Sequence, residues 1–351
     1  MALTRLSLTD FRNHAALSLV PKGQFIALHG ANGAGKTNIL EAISLLVPGR
    51  GLRRASLGEM ARSDGGGGFA VTAEMGDVIL GTGVDADAPE RRKVRINGAT
   101  APINALAEWL SVIWLTPTMD RLFTDGANMR RRFLDRLVLA LEPAHAGHSS
   151  RYDNAVRQRN RLLTGQDTPD PMWLDAIEGA MAEHAAVING ARERMMSALS
   201  QRLAGVAVGP FAVPAIALDI AGSTDVDALR DGWRSGRKRD AAAGRTLVGP
   251  HRGDMVVHHR ANGQPADRCS TGEQKALLLS LILAHAGLVA EQRGEPPILL
   301  LDEVAAHLDP SRRTALFELL AVTGAQVWMT GTEDSLFEGI GATAQLVAVG
   351  G

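Results

Sequence analysis

The chain has 351 residues, of which 45% are hydrophobic and 21% are charged, an ordinary composition for a globular protein with a large core. Its 37 basic and 38 acidic residues leave a formal net charge of −1, which excludes a polycation that binds nucleic acid through its overall charge. The single cysteine, Cys269, excludes an internal disulfide and fits a reducing compartment. Because no secretory apolar run and no stretch of membrane-spanning length is recognised, we expect a cytoplasmic protein without a membrane partner.

Hydrophobic periodicity predicts strands around one helix in the N-terminal third of the chain. The predicted segments are strands at 2–10, 16–20 and 25–28, a helix at 36–46, and strands at 69–75, 78–84 and 93–98. The last three strands alternate apolar and polar residues, which is typical of an antiparallel sheet, and Asn97-Gly98 favours a hairpin turn.

From residue 118 the pattern becomes helical. Helical periodicity continues to about residue 205, with breaks at Glu142-Pro143 and between Gly165 and Pro171. No heptad pattern persists through this region, so we expect no extended coiled-coil arms. The sequence therefore predicts a compact, all-helical insert at 118–205.

The C-terminal third returns to an alternation of strands and helices. The predicted segments are strands at 211–220 and 246–259, a helix at 271–290, a strand at 297–301, a helix at 310–321, and strands at 325–330 and 345–349. This alternation favours a mainly parallel sheet covered on both faces. We predict that 1–117 and 206–351 together form one α/β domain.

The segment 24–40 contains the G-x-x-x-x-G-K-[ST] pattern of a phosphate-binding loop, directly after the predicted strand at 25–28. Glycines let the backbone turn its N–H groups towards phosphate oxygens, and the lysine adds a positive charge. A threonine hydroxyl at the last position is suited to ligate Mg²⁺. A glycine-rich turn that only packs is the alternative interpretation. We predict that a nucleoside triphosphate contacts Gly30, Ala31, Asn32, Gly33, Ala34, Gly35, Lys36 and Thr37.

A buried strand at 297–301 ends in two adjacent carboxylates, Asp302 and Glu303. The carboxyl ends of strands are the edge at which open α/β sheets bind ligands. Asp302 is suited to hold Mg²⁺, directly or through water, and Glu303 to orient or deprotonate an attacking water. The alternative is a strand that simply ends in solvated acids before a turn.

A third motif, Cys269-Ser-Thr-Gly-Glu-Gln-Lys275, opens a long apolar helix. Ser270 and Glu273 have the spacing of a capping box, which is the structural interpretation. The functional interpretation is a second anion site formed by Ser270, the Gly272 backbone and the helix dipole. Since one chain already has a phosphate loop, such a site would serve the nucleotide of a partner chain facing it head to tail.

These motifs resemble the pattern of the ATP-binding-cassette ATPases, in which S-x-G-[QE] stands about thirty residues before a strand ending in Asp-Glu. The resemblance implies a P-loop ABC-type ATPase head that takes ATP and Mg²⁺. It implies Thr37 and Asp302 at the metal, Glu303 as the catalytic residue, and an ATP-dependent homodimer. The residues implied to act across that dimer are Ser270, Gly272, Glu273 and, in the dimer-contacting loop, Asp309.

Within that superfamily the sequence resembles the RecF family of bacterial recombination mediators, which is related to the SMC-type ATPases. The similarity covers nearly the whole chain and includes LTDFRNH, HGANGAGKTNILEAI, GRGLRRAS, MRRRFLD, GRTLVGPHRGDM, CSTGEQKALLLSLILA, ILLLDEVAAHLD and QVWMTGT. The resemblance implies ATP-dependent dimerisation on gapped or single-strand/duplex junction DNA. It also implies work with RecR and RecO in loading RecA, hence roles in replication, repair and the SOS response.

The sequence lacks two residues that transporter cassettes carry. Residues 25–157 contain no Gln for the loop that couples the two lobes of a transporter cassette, and Thr330-Gly331-Thr332 stands where those proteins carry a switch His. A transporter or signalling cassette that drives a protein partner without DNA is the alternative function. A nuclease-coupled SMC-like ATPase is a third, although no separate cluster of metal-binding carboxylates is recognised.

Clusters of basic residues are candidates for contact with DNA phosphates, and solvated charged faces are the alternative. They are Arg50, Arg53 and Arg54; Arg91, Arg92, Lys93 and Arg95; Arg130 to Arg132; and Arg234, Arg237, Lys238 and Arg239. His251 and Arg252 are interpreted as structural or nucleotide-sensing residues rather than metal ligands.

Overall fold

The fold is described from a computed structural model of the chain, which describes residues 2–165, 169–206 and 209–350. The chain divides into two compact units. The first unit comprises 1–120, 208–211 and 278–351, and the second comprises 121–207 and 212–277. The second unit therefore includes 212–277 as well as most of the predicted helical insert. The boundaries of that insert, at 118 and 205, remain a prediction.

The strands, in chain order, are β1 (Arg5–Phe11), β2 (His14–Leu19), β3 (Phe25–His29), β4 (Phe69–Met75), β5 (Val78–Val84), β6 (Lys93–Ile96), β7 (Ala99–Thr100), β8 (Val112–Leu115), β9 (Pro214–Asp219), β10 (Asp254–His259), β11 (Ile298–Leu301), β12 (Gln326–Gly331) and β13 (Ala344–Ala348). The helices are α1 (Lys36–Ser44), α2 (Leu57–Met60), α3 (Leu106–Trp109), α4 (Ala127–Leu141), α5 (His145–Leu163), α6 (Pro171–Ala204), α7 (Val226–Ala243), α8 (Thr271–Arg293) and α9 (Pro310–Val322).

The first unit contains an antiparallel sheet and a parallel sheet. The antiparallel sheet has the order β2-β1-β4-β5-β6-β7, and the parallel sheet has the order β13-β3-β12-β11-β8. Along β4 the buried and less buried residues alternate, as expected for a sheet with one face on a core, whereas every residue of β11 and β12 is buried. Asn97 and Gly98 have φ values of 50° and 82°, which confirms the predicted hairpin turn.

The second unit packs four helices, α4 to α7, with the antiparallel pair β9-β10. Helix α4 ends one residue before Glu142-Pro143, and α6 begins at Pro171 with Asp170 as its N-cap, which confirms both predicted breaks. The predicted α/β fold with a mainly parallel sheet, an antiparallel part and a helical insert is confirmed.

Two segments of the second unit differ from the prediction. Residues 226–243 form α7, although no helix was predicted there, because its apolar positions, such as Leu229 and Trp233, are few among charges. The strand predicted at 246–259 begins only at Asp254, since Gly249, with φ at 135°, and Pro250 turn the chain before it.

Helix α8 corrects the expectation that no stretch approaches the length of a membrane span. Among the helices in the described part of the chain, it alone is long and apolar enough by length and composition to cross a membrane. However, 72% of its most apolar window is buried inside the protein, so its apolar character is explained by its place in a core.

The core of the second unit contains a buried arginine held by ion pairs. Arg159 is fully buried; its guanidinium donates to Glu178 at 2.9 Å and Asp240 at 2.7 Å, and also to the Thr246 hydroxyl and the Trp233 carbonyl. Both carboxylates are buried as well. Glu178 is also paired with Arg237, whereas the ion pair of Asp240 is with Arg159, so removal of Arg159 leaves a buried carboxylate without this partner.

We predict that Arg159→Ala destabilises the protein by about 3–5 kcal/mol, because Asp240 stays buried without this counter-charge and Glu178 keeps only Arg237. The measurement is urea unfolding followed by circular dichroism. Arg157→Ala, at an exposed position two residues earlier, is the matched control and is expected to change stability by less than about 0.5 kcal/mol. Equal unfolding midpoints for the two variants would contradict the interpretation.

Candidate functional site

The parallel sheet brings three strand ends side by side. Strand β12 lies between β3 and β11, so the segments that follow these strands meet at one edge. The segment after β3 is the phosphate-binding loop, and the segment after β11 starts with Asp302. Two motifs that are more than 260 residues apart in the chain are thereby brought together.

The loop Gly30–Thr37 has the backbone that its glycines were predicted to provide. Gly30, Gly33 and Gly35 have φ values of 143°, 85° and 103°, which side chains disfavour. A Cβ on Gly30 would lie 2.4 Å from the Val349 carbonyl oxygen, and one on Gly35 would lie 2.6 Å or less from the side chains of the β1–β2 turn. The loop therefore has room for glycine alone at two of its fixed positions.

Lys36 starts α1 and directs its ammonium back over the loop. Its Nζ donates to the carbonyl oxygens of Gly30 at 2.6 Å and Ala31 at 2.9 Å, and the residue is buried. The N-cap of α1 is Gly35, in the left-handed conformation, with no side-chain cap. A positive charge, the open N-terminus of a helix and a glycine-rich loop together suit a phosphate group.

The turn between β1 and β2 supports the loop, a feature that the motif analysis missed. Asn13 Nδ2 donates to the Ala34 carbonyl at 3.1 Å, and His14 Nε2 donates to the Gly35 carbonyl at 3.2 Å. Arg12 makes two hydrogen bonds of 2.8 Å to Glu41, a fully buried residue of α1. These residues belong to LTDFRNH; only the folded hairpin shows what they contact.

The end of β11 is joined to the loop through a single oxygen atom. Thr37 Oγ1 donates to Asp302 Oδ1 at 2.8 Å, and Thr330 Oγ1, on β12, donates to the same oxygen at 2.8 Å. Thr330 belongs to the stretch Thr330-Gly331-Thr332 that stands where transporter cassettes carry a switch His, and its contact with Asp302 was not predicted. Both distances are ordinary for O–H···O hydrogen bonds, and together they hold this oxygen between α1 and β12.

Glu303 has a left-handed backbone. Its φ is 54°, which is uncommon for a residue other than glycine, and its N–H donates to Thr330 Oγ1 at 2.9 Å. The side chain is partly exposed. Strained backbone at the end of a strand is characteristic of positions where a side chain is aimed at a ligand.

The residues around Asp302 fit a hard divalent cation such as Mg²⁺. Burial raises the pKa of Asp302, while the hydrogen bonds from Thr330 and Thr37 lower it. A buried carboxylate beside a hydroxyl offers the oxygen ligands that Mg²⁺ prefers, with phosphate and water completing the shell. Within residues 2–165, 169–206 and 209–350, no cluster of three or more His, Cys, Asp or Glu that could hold a metal is found.

The third motif lies in the second unit as the start of α8. Ser270 Oγ and Ser270 N both donate to Glu273 Oε2, at 2.7 and 2.9 Å, and these hydrogen bonds lower the pKa of Glu273. Gly272 is exposed, and a Cβ there would meet no atom within 4 Å. The capping box is thus present, and its open surface is compatible with the predicted contact with a partner's phosphate.

Asp309 caps α9. Its Oδ1 accepts from Arg312 N at 2.9 Å and Ser311 Oγ at 2.6 Å, and these bonds lower the pKa of Asp309. The residue is exposed, so its place in a dimer contact stays a prediction.

Several arginines of the basic clusters are used inside their own unit. Arg92 is bonded to the carbonyls of Leu45 and Gly49 after α1, and burial lowers the pKa of Arg92 to about 10. Arg130 makes an ion pair with Asp254, and Arg237 makes one with Glu178. The remaining exposed members include Arg50, Arg91, Arg95, Arg132, Lys238 and Arg239.

His251 has a structural environment. Its Nδ1 accepts from the Tyr152 hydroxyl at 2.8 Å, and its Nε2 donates to the Thr246 carbonyl at 3.0 Å. Burial lowers the pKa of His251. Both ring nitrogens are occupied within the second unit, which favours the structural interpretation over metal binding.

Comparison with known proteins first gives the class. The family described as "RecF/RecN/SMC N terminal domain" matches residues 2–349. Among solved structures, the head domain of an SMC protein bound to the C-terminal winged-helix domain of ScpA is similar with a TM-score of 0.57, 15% identity and coverage of 99% of this chain and 94% of that one. The fold is therefore that of the ATPase heads of this class.

More similar proteins define the family within the class. A protein of Rhizobium rhizogenes named "DNA replication and repair protein RecF" is 50% identical, over 99% of this chain and 96% of its own length. One of Brucella suis with the same name is 48% identical, over 99% and 94%. The solved structure "recombination mediator protein RecF-ATPrS in RecFOR pathway" has a TM-score of 0.82 at 24% identity, over 95% and 93%. This chain belongs to the RecF family.

We predict that Asp302→Asn stabilises the protein by about 1 kcal/mol at pH 7.5, because the amide keeps an acceptor for both hydroxyls and removes a desolvated charge. Since the folded-state pKa of Asp302 is raised, the wild type recovers stability as pH falls through that pKa. The advantage should therefore vanish below the unfolded pKa of about 3.9.

Thermal unfolding from about pH 3 to pH 8 measures this difference on both sides of that pKa. Asp77→Asn, in an exposed turn, is the control that removes one charge without relieving desolvation. A lower melting temperature for Asp302→Asn at pH 7.5 would contradict the expectation.

Proposed function

We propose that this chain is an ATP-driven DNA repair protein that dimerises when ATP is bound and holds gapped or single-strand/duplex junction DNA. The observation that carries the proposal is the hydrogen bond from Thr37 Oγ1 to Asp302 Oδ1. It joins a phosphate-binding loop to a buried carboxylate at the edge where such sheets bind ligands. Membership of a family whose relatives are named DNA replication and repair proteins supports the DNA part of the proposal.

ATP would lie on the loop Gly30–Thr37, with the ammonium of Lys36 moved from loop carbonyls to phosphate oxygens. Mg²⁺ would be held by Thr37 and Asp302 and would neutralise charge on the phosphates. Glu303 would orient or deprotonate the attacking water. ATP-bound structures of RecF support this assignment by similarity of fold.

The dimer is proposed from the second anion site. Ser270 and Gly272 lie at the exposed start of α8, whereas the chain already supplies its own loop for the triphosphate. In a head-to-tail pair, the α8 N-terminus of one chain would close over the γ-phosphate of the other, with Glu273 and Asp309 at the same seam. Hydrolysis would then separate the two chains, so the rate of a slow ATPase would set the lifetime of the dimer.

DNA contact is proposed for the exposed basic residues rather than for those in internal ion pairs. The protein has few aromatic residues, 4% of the chain, so base stacking contributes little. Binding would depend on backbone phosphates and fall steeply with salt. Work with RecR and RecO to load RecA in the cytoplasm completes the proposal, and the pathway named for the RecF structures supports it.

We predict that Lys36→Ala weakens ATP binding by roughly 10- to 100-fold, because a buried charge-assisted contact with phosphate is lost. ATP-dependent dimerisation should be lost in parallel. Equilibrium binding of a fluorescent ATP analogue and light scattering measure the two effects. Lys22→Ala, which removes an exposed lysine of the same unit, is the control. Dimers that persist in Lys36→Ala at matched ATP would argue against the sandwich.

We predict that Glu303→Gln slows hydrolysis by about 100-fold or more while it preserves ATP binding, because the amide cannot accept a proton from water. The ATP-bound dimer should then remain on DNA longer than the wild type. Fluorescence anisotropy on a gapped duplex and light scattering on the same sample give DNA binding and mass. Glu318→Gln, exposed on α9, is the control.

The two readouts separate the proposed functions. A doubled mass with ATP-dependent DNA binding supports the DNA clamp. A doubled mass without DNA binding moves the function to an ATPase that drives a protein partner. No response to ATP in either measurement would overturn the assignment of Ser270 and Gly272 to a partner's nucleotide.

A further inference from the structure

Thr330 belongs to β12, the strand between the loop strand and the carboxylate strand. Its backbone is paired with Leu28 of β3, whereas the pairing of β12 with β11 ends one step earlier, at Leu301 and Met329. Beyond that step the contact with the β11 side passes through the Thr330 hydroxyl. The Thr330 side chain thus connects the two strand ends just beyond the last backbone pair of β11 and β12.

The Thr330 hydroxyl makes one hydrogen bond to each of the two carboxylate residues. It has one proton, given to Asp302 Oδ1 at 2.8 Å, and it accepts the Glu303 N–H at 2.9 Å. The side chain is 1% exposed, so water cannot substitute for either partner. Valine at this position would keep the shape and leave a buried N–H unsatisfied.

The contact with Glu303 stabilises an unfavourable backbone. A residue other than glycine at a φ of 54° costs about 1–2 kcal/mol, which surrounding contacts must offset. The bond from the Glu303 N–H to Thr330 is one such contact. If it is lost, the peptide can relax towards a negative φ and turn the Glu303 side chain away from its present direction.

The contact with Asp302 fixes the rotation of the carboxylate. Thr37 on α1 and Thr330 on β12 both donate to Oδ1, so the carboxylate is held by two donors from two different elements. With Thr330 removed, Thr37 alone cannot fix that rotation. A loosely held metal ligand positions its ion poorly.

We infer that Thr330 is a positioning residue for hydrolysis: its hydroxyl holds the proposed metal ligand Asp302 and the proposed base Glu303 in register with the phosphate loop. This inference rests on the proposed ATPase function. Thr330 is the first residue of Thr330-Gly331-Thr332, the stretch that stands where transporter cassettes carry their switch His, and a threonine, unlike histidine, cannot become positively charged. It acts through the two carboxylates and contacts neither water nor metal itself.

Thr330→Val, which removes the hydroxyl at nearly constant volume, tests the inference. We expect kcat for ATP hydrolysis to fall about 10- to 100-fold while the KM for ATP changes less than about threefold, because positioning acts on the reacting atoms rather than on binding. Thr330→Ser restores the hydroxyl and should return kcat to within about threefold of the wild type. Thr100→Val, at an exposed strand position outside the site, is the matched control.

The kcat-against-KM split and the rescue by Thr330→Ser are readouts that a mere loss of packing would not move. Melting temperatures of all variants establish that each protein is folded.

Each outcome decides the inference. Hydrolysis by Thr330→Val within twofold of the wild type overturns it, and so does a Thr330→Ser protein that is as slow as Thr330→Val. If the valine variant fails to fold, Thr330→Ser is compared with the wild type instead: because serine keeps the hydroxyl and loses only the methyl group, a folded serine variant more than about tenfold slower overturns the inference. A wild-type protein that binds no ATP would overturn the proposed function. An active wild type together with an equally active Thr330→Val would overturn only the role of Thr330.

Discussion

The architecture of the site depends on one carboxylate oxygen. Asp302 Oδ1 accepts a hydrogen bond from α1 through Thr37 and another from β12 through Thr330, so it links the end of β11 to a helix and to the neighbouring strand. Its burial is costly for a charge, and the two hydroxyls offset part of that cost. A fold optimised only for stability would place an apolar residue here. The retained charge is consistent with a site arranged for a cation and phosphate.

Much of this arrangement could be predicted from the sequence because its parts are local. The glycines at 30, 33 and 35 were predicted from the need for unusual backbone, and all three have positive φ. The strand before Asp302 was recognisable as a short apolar run, and the helix breaks at Glu142-Pro143 and Pro171 follow from the chemistry of proline. Each of these features is decided by residues a few positions apart.

The features that were missed depend on residues far apart in the chain. Nothing near Thr330 shows that its hydroxyl will meet Asp302, because the register between β11 and β12 decides it. Similarly, Arg130 and Arg237 suggested phosphate binding until their partners Asp254 and Glu178 were brought to them by folding. Helix α7 escaped detection because its buried side is narrow, with Leu229 and Trp233 among charged residues. A charge cluster in sequence is thus weak evidence for a ligand.

The bonds of Arg92 to the carbonyls after α1 have a further consequence. The phosphate loop, which leads into the N-terminus of the same helix, is hydrogen-bonded by Asn13 and His14. Side chains from other elements therefore hold the chain on both sides of α1. A helix held in this way resists movement along its axis when a phosphate binds. The loop is therefore preorganised, and little conformational entropy remains to be lost on binding. We expect the backbone of the loop to change little when it takes a phosphate group.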